Sequence, residues 1–447
     1  MIKRTEALDH WRRRVDWPLM AAVGALLAIG LVVVLSATSP MGNPARYMIK
    51  QLTAVSVGMI GLVLLTSLNY QIFRSHPWIL YALTLVALLS VLLVGRRIHG
   101  AKSWIVFGPV SVEPVEFARI GFILVLAAIL DQPEREMRPL RLLAVVFALA
   151  GGHMGLILLE PYLGGILAYV PIVLGMLYFA GMRPLYLLAV IFYGSVAAGI
   201  PILSTFFSIQ PQLMDSYPLL RFLIASTAGG RKAIELLFIT TSAIFALWWF
   251  FQKMRFRIPW RYPLFLSLII PLGIYSAHLA QHSIKDYQRK RIVVFLSPGF
   301  DPLGAGYNIL QSEIAVGSGR VFGKGLFSGS QTQLGFLPEK HTDFIFSVIG
   351  EELGFLWASV VLIAFAVITW RAFVIATETQ DRFGSLVAVG LGCLFGFQCV
   401  MNIGMTIGLL PVTGVALPLV SYGGSHMVSG LLAIGLLQSV NFRRYIY

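Results

Sequence analysis

The sequence predicts an all-α integral membrane protein, a polytopic helical bundle with a large polar segment outside the membrane. Three observations carry this. Of the 447 residues, 57% are hydrophobic and 12% are charged, against roughly 45–50% and about 25% in a soluble domain. Mean hydropathy is +0.80. The apolar residues gather into runs of about 18–20, the length that crosses a hydrocarbon core as helix, not into the short alternating segments of a β-barrel. On a soluble chain a net charge of +14 would suggest nucleic acid. Here the cations sit in short stretches between apolar runs, the positive-inside pattern. No nucleic-acid partner is expected; contact with membrane lipids is.

The first run, from Trp17 to about Leu35, follows a basic head containing Lys3, Arg4, Arg12, Arg13 and Arg14. It has full spanning length, so it reads as an uncleaved anchor with a cytoplasmic N-terminus. Next come Leu52–Ser67 and Pro77–Val94, the polar loop GRRIHGAKSWIVFGPVSVEP, then Val115–Leu130 and the arginine-rich DQPEREMRPLR. Leu140 to Ala180 is too long for one span. It must fold back at EPYLGG, Glu160 to Gly165, where Pro and Gly interrupt a helix, giving Leu142–Leu159 and Gly165–Ala180. Leu185–Ile202 follows. Ala233–Phe251 and Tyr262–Ala280 flank the basic KMRFRIPWR. Phe344–Trp370, Phe383–Leu410 and Leu417–Leu437 end the chain before NFRRYIY. The expectation is about twelve spans in one membrane domain, 1–447, with both termini inside and residues 281–342 outside. Cys393 and Cys399 lie in an apolar run and read as small core residues.

Several stretches resemble a known family. FLPEKHTDFIFSVIGEELGF, GYNILQSEIAVGSG and NIGMTIGLLPVTGVALPLVSYGGS are closely similar to the SEDS family (shape, elongation, division and sporulation). GAKSWIVFGPVSVEPVEFAR and EPYLGG fit two further blocks, and the likeness runs in order along nearly the whole chain. LLPVTG resembles the elongation branch more than the division branch, which usually has Thr-Lys in place of Val-Thr. The resemblance implies a peptidoglycan glycosyltransferase of the bacterial cytoplasmic membrane, polymerising lipid II at the outer face for elongation and rod shape. It also implies a class B penicillin-binding protein as crosslinking partner. The family usually has ten spans, so residues 233–280 read as an inserted hairpin. Where the family commonly has Gln-Pro-Asp-Leu-Gly-Thr, this chain has EPYLGG, with Tyr162 in place of the acid. Arg119 stands where Lys is usual. The alternative is a flippase for lipid-linked precursor; a third reading is a scaffold for the crosslinking enzyme.

Glycan extension needs a base for the acceptor hydroxyl and cations or N–H groups for the leaving pyrophosphate. Asp301, in SPGFDPLGAGY, is either that base, as the resemblance implies, or an Asp-Pro turn starter. Glu339 and Asp343 compete with it. Thr342 or Asp343 is also a candidate cap for the helix from Phe344, and His341 is expected to orient that loop. Glu351 and Glu352 cannot share a face of an α-helix; one should be inward, the other shallow and wet. Glu116 and Arg119 share a face at i, i+3, as a local ion pair or as the wall of a polar cavity. Trp104 is an interface aromatic or a sugar platform. Lys102, Arg289, Arg291 and Lys324 are outer cations for pyrophosphate or headgroups. The resemblance adds Tyr307, Ser312, Ser421, Tyr422 and Ser425 to the substrate-binding set. GSGRVFGKG lacks the ending and the strand of a Walker loop. No zinc or haem spacing appears; a divalent cation, magnesium or manganese, is the one cofactor left open.

Overall fold

A computed structural model describes residues 15–98, 101–108, 110–132, 139–160, 162–209, 217, 218, 221, 222, 224, 231–283, 286–297 and 305–444. Helices begin where the sequence supplies caps and prolines. α1 (Trp17–Thr38) opens on Asp16, whose carboxylate accepts from the Leu19 N–H at 3.1 Å. α2 (Pro44–Ser67) opens on Asn43, which accepts from the Arg46 N–H. Each puts Pro in the first turn, where no backbone donor is needed. α3 (Pro77–Val94), α4 (Pro114–Leu130), α5 (Pro139–Leu159) and α8 (Pro184–Ile209) also start on proline. Between the last two, α6 (Leu163–Leu167) and α7 (Tyr169–Phe179) follow the EPYLGG break. Then come α9 (Arg231–Lys253), α10 (Arg261–Ser283), α11 (Asp286–Leu296), α12 (Ala305–Ser318) and α13 (Ser330–Gln333). The chain ends with α14 (Ile345–Val348), a π turn over Ile349–Leu353, α15 (Gly354–Glu378), α16 (Arg382–Thr406) and α17 (Gly424–Arg443).

Among the described residues nine helical stretches are long and apolar enough to cross a membrane by length and composition. α4, the α6–α7 pair and α17 account for the remaining three of the twelve apolar runs. The protein is a polytopic helical membrane protein, as its composition requires.

Three details differ from the sequence reading. The loop before α4 is a small antiparallel sheet: β1 (Arg96–Ile98), β2 (Ala101–Phe107) and β3 (Val110–Val112), in that order. Residues 281–342 are not one open loop, because α11, α12 and α13 lie within them. The last helix starts at Gly424 rather than Leu417. Residues 407–423 are irregular: Gly408 and Gly414 take φ of 73° and 74°, and Pro411 and Pro418 lack backbone donors.

The chain divides into two compact units, Met1–Gly181 with Asn308–Tyr447, and Met182–Tyr307. In the first, α17 packs along α2, and α15 packs on α16 and α1. α4 is enclosed by α3, α16 and α17, and all its residues but Phe117 are buried. At one end Arg371 clasps Asp16 through two N–H groups at 2.8 and 2.6 Å, while Gln438 accepts from the Asp16 N–H. In the second unit α10 packs on α8 and α9, and α11 on α8.

The α2–α17 seam depends on small residues. A Cβ on Gly435 would lie 2.8 Å from the Leu62 carbonyl oxygen, whereas one on Gly24 would meet nothing within 4 Å. Gly435→Val is expected to cost about 2 kcal/mol by overpacking, read as a lower thermal midpoint of the detergent-purified protein. Gly24→Val should leave that midpoint nearly unchanged.

Candidate active site

The enclosure of α4 lets it carry charge inside the bundle. Glu116 and Arg119, one turn apart, form an ion pair of 2.8 Å at 4% and 1% exposure. His426 Nδ1, from α17, lies 3.0 Å from the second Glu116 oxygen. The Arg119 guanidinium sits over the Tyr162 ring at 5.9 Å, and the Tyr162 hydroxyl donates to the Gly414 carbonyl at 3.5 Å. Ser425 accepts from the Glu113 N–H at 2.8 Å and donates to the Ser111 carbonyl at 3.4 Å. It therefore joins α17 to the end of β3. A cavity of about 10 Å³, roughly one water's worth, lies beside Glu116 and His426.

The charges of Glu116, Arg119, Glu160 and Asp343 all act on Glu113, so these groups share one electrostatic neighbourhood. Its polar atoms are incompletely used. Arg119 Nε and Nη2, both Glu160 carboxylate oxygens, the Tyr169 hydroxyl and His426 Nε2 are buried and have no hydrogen-bond partner among the described residues. Each such group costs about 1–3 kcal/mol, and native structures hold few of them. Their concentration here suits a polar ligand. The i, i+3 spacing revealed the ion pair. Glu113, Glu160 and His426 went unnoticed: Glu113 is held here through Ser425 and His426 arrives on α17, both far along the chain, and Glu160 comes from a different segment.

A second group joins the segment before α14 to the segment before α17. Ser421 Oγ donates to the Thr342 carbonyl at 2.7 Å and accepts from the Leu417 N–H at 2.9 Å. The Tyr422 N–H donates to the His341 carbonyl at 2.9 Å. The rings of His341, Tyr422 and Tyr47 form a cluster with centroids 5.3–5.6 Å apart. Asn402 donates to the carbonyls of Asp343 and Val415, both at 2.8 Å. Neither Thr342 nor Asp343 caps a helix: α14 is preceded by Phe344 and has no side-chain cap bond. The Thr342 hydroxyl turns back onto the Glu339 carbonyl at 3.2 Å. The Asp343 carboxylate faces Gly414, within 3.5 Å of where a Cβ would stand.

A third group surrounds the π turn. Glu351 and Glu352 are both buried, at 0% and 1% exposure, so neither takes the shallow, wet position expected of one of them. The widened turn changes the angular spacing that expectation assumed. Glu351 accepts from the Gln331 and Thr332 N–H groups, the Thr332 and Ser330 hydroxyls, and Lys324 Nζ at 2.9 Å. Glu352 accepts from Ser36 Oγ and from Gln333 at 2.9 Å. Lys324 is thus an ion-pair partner of Glu351. GSGRVFGKG packs backbone to backbone on the π turn: the Lys324 and Gly325 N–H groups donate to the Glu351 and Glu352 carbonyls, each at 3.0 Å. A Cβ on Gly323 would lie 2.2 Å from the Glu352 carbonyl oxygen. These glycines serve close packing. Lys340, buried and donating to the Thr332 carbonyl, has its pKa lowered by burial.

Ser312 is fully buried; it donates to the Thr406 carbonyl and accepts from Ser347 Oγ, both at 2.6 Å. Trp104 sits half-buried on β2, paired in register with Arg96. Lys102 is on the same strand, with its side chain outside the described set. Arg291 on α11 and Tyr307 on α12 belong to the second unit, and Arg289 on α11 is exposed. Asp301 lies outside the described residues. Among the described residues no group of three His, Cys, Asp or Glu side chains is arranged to hold a metal.

Glu351→Ala would strip the Lys324 ammonium, two backbone donors and two hydroxyls of their acceptor. The Thr332 N–H and hydroxyl are buried, and each buried polar group left without a partner costs about 1–3 kcal/mol. Limited proteolysis should then cut residues 320–340 much faster than in the unmodified protein, with a lower thermal midpoint.

The sequence profile of the family described as cell cycle proteins, FtsW, RodA and SpoVE, matches residues 17–223 and 239–446. The chain is 31% identical over 433 residues to the peptidoglycan glycosyltransferase RodA of Treponema pallidum, covering 96% of this chain and 98% of the relative. It is 30% identical to the peptidoglycan glycosyltransferase MrdB of Escherichia coli K12, at 96% and 94% coverage. Among solved structures, a chain from a peptidoglycan synthase complex that coordinates polymerization and crosslinking superposes with a TM-score of 0.67 at 26% identity, covering 96% of this chain and 98% of its own length. RodA of Thermus thermophilus superposes with a TM-score of 0.58 at 25% identity, covering 96% and 97%. The architecture, the buried α4 pair and a match along nearly its whole length lead to one conclusion: this chain belongs to the FtsW, RodA and SpoVE family.

Proposed function

We infer that this protein is a peptidoglycan glycosyltransferase of the RodA type, polymerising lipid II into glycan strands for cell elongation. The observation that carries the reading is the buried α4–α17 neighbourhood, with an arginine and a carboxylate whose hydrogen-bonding capacity is unused. A transporter also needs a polar path through its helices; the family relationship and the curated relatives' activity favour polymerisation.

Growth of the strand asks one group to take the acceptor hydroxyl's proton and another to balance the departing pyrophosphate. We assign the base to Asp301, on the family likeness of its Asp-Pro block. Arg119 suits the second role, since Glu116 occupies only Nη1, and Nε and Nη2 remain for phosphate oxygens, the fork geometry that arginine favours. Lys324 suits it less, because Glu351 already holds its ammonium. In EPYLGG the carboxylate stands at Glu160, and the Tyr162 ring lies under Arg119. Glu160 is therefore our choice to accept from a sugar hydroxyl there. An apolar groove of about 290 Å³, bordered by Leu65, Leu83, Phe117 and Leu436, supports a lipid-linked substrate, since it can take part of a hydrocarbon tail. We place the reaction at the outer face of the cytoplasmic membrane, with both termini inside. The related synthase complex supports pairing with a class B penicillin-binding protein.

Asp301→Asn is expected to lower glycan polymerisation from purified lipid II by at least about 10²-fold, the usual contribution of a general base, while lipid II binding persists. Near-normal polymerisation by that variant would overturn the assignment. Glu160→Gln, which keeps the shape of the side chain but replaces one carboxyl oxygen with an amide, should weaken polymerisation without lowering the thermal midpoint.

A further inference from the structure

The turn between α9 and α10 has no part in the reaction proposed above. It reads QKMRFRIPWR, and no acidic residue occurs between Glu235 and Asp286. Its backbone is tightly built. The Arg255 N–H donates to the Gln252 carbonyl at 3.1 Å and the Phe256 N–H to the Phe251 carbonyl at 3.0 Å, the paired bonds of a Schellman helix end. Two side chains of α9, Trp248 and Gln252, both donate to the Ile258 carbonyl, at 2.8 and 2.5 Å. The returning chain is thus pinned back onto α9.

The residue at the left-handed position of this turn is arginine, with φ of 66°. Glycine takes that conformation without strain and is the usual occupant. The sequence keeps a cation where the backbone alone favours glycine. Lys253, Arg255 and Arg257 are all exposed. They are interleaved with Trp249, Phe256 and Trp260, which are 57%, 57% and 64% exposed. The Lys253 ammonium lies 4.1 Å from the Trp249 ring centroid. Cations beside exposed indole rings at the end of an apolar hairpin match the level of a bilayer where headgroups lie.

We propose that this turn is a docking site for anionic phospholipid headgroups. Lys253, Arg255 and Arg257 supply the charge, and Trp249, Phe256 and Trp260 fix the depth. Charge complementarity selects the occupant: three exposed cations with no acid near them in sequence, presented by a turn with few ways to move.

The test uses the full-length protein in a neutral detergent, with native mass spectrometry to count retained phosphatidylglycerol and phosphatidylcholine of equal chain length. The unmodified protein should retain phosphatidylglycerol preferentially. Each cation removed, in Lys253→Gln, Arg255→Gly and Arg257→Gln, should lower that preference by about fivefold. Arg255→Gly is the decisive variant, because it relieves the backbone and should leave the thermal midpoint equal or higher while retention falls. Retention unchanged in Arg255→Gly and in the triple variant would overturn the proposal. So would competition by inorganic phosphate at equal concentration, which would mean that the turn reads a free anion and not a lipid.

Discussion

Two neighbouring carboxylates buried at the head of a membrane helix are the constraint on which the rest of this structure leans. Glu351 and Glu352 are almost fully enclosed, and an uncompensated buried charge costs several kcal/mol. Compensation comes from every side: Lys324, the start of α13, and Ser36 on α1. Meeting that demand draws residues 319–333 down onto the helix, with Gly319, Gly323 and Gly354 where backbone presses closest on backbone. Lys340 then ties the following segment to Thr332, and His341 and Thr342 reach the SYGGS turn. A purely electrostatic requirement at one point thereby sets the path of the chain as far as the neighbourhood of Glu116.

The bundle itself was legible because lipid imposes a simple rule: apolar runs of sufficient length become helices, and Pro, Asp and Asn mark their beginnings. The Glu116–Arg119 pair was legible for a related reason, since i, i+3 spacing is a property of one helix alone. What escaped prediction depends on tertiary partners. His426 meets Glu116 only because α17 packs on α4. Thr342 and Asp343 look like helix caps until Ser421 and Asn402 take their carbonyls. The spacing rule misjudged Glu351 and Glu352 because it assumes α geometry, and this turn is wider. For Asp301, sequence alone reads first as a turn starter and second as a base; only family likeness reverses that order.

The charged groups fall into two sorts. Arg371 with Asp16, and Lys324 with Glu351, are closed pairs whose donors and acceptors satisfy one another. Arg119 and Glu160 are open, with donors and acceptors left over inside the protein. Folding gains nothing from such surplus, and proteins keep it where binding repays the cost. One arginine among several carboxyls also offers opposite kinds of contact within a small space, which is what a substrate rich in both phosphate oxygens and hydroxyl groups calls for.

The π turn has a bearing on how this helix can change. It holds one residue more than an α turn would, and the helix breaks directly after it: Gly354 takes φ of 76°, and the Phe355 and Leu356 N–H groups donate to the Arg320 and Val321 carbonyls. Phe355 and Ile363, 67% and 62% exposed, lie on the outer row of the helix that restarts there. A one-codon deletion here would shift the two buried carboxylates relative to the face of α15 that rests on α1 and α16. Outward side chains along this helix are therefore individually replaceable, while the length of the turn that precedes it is not.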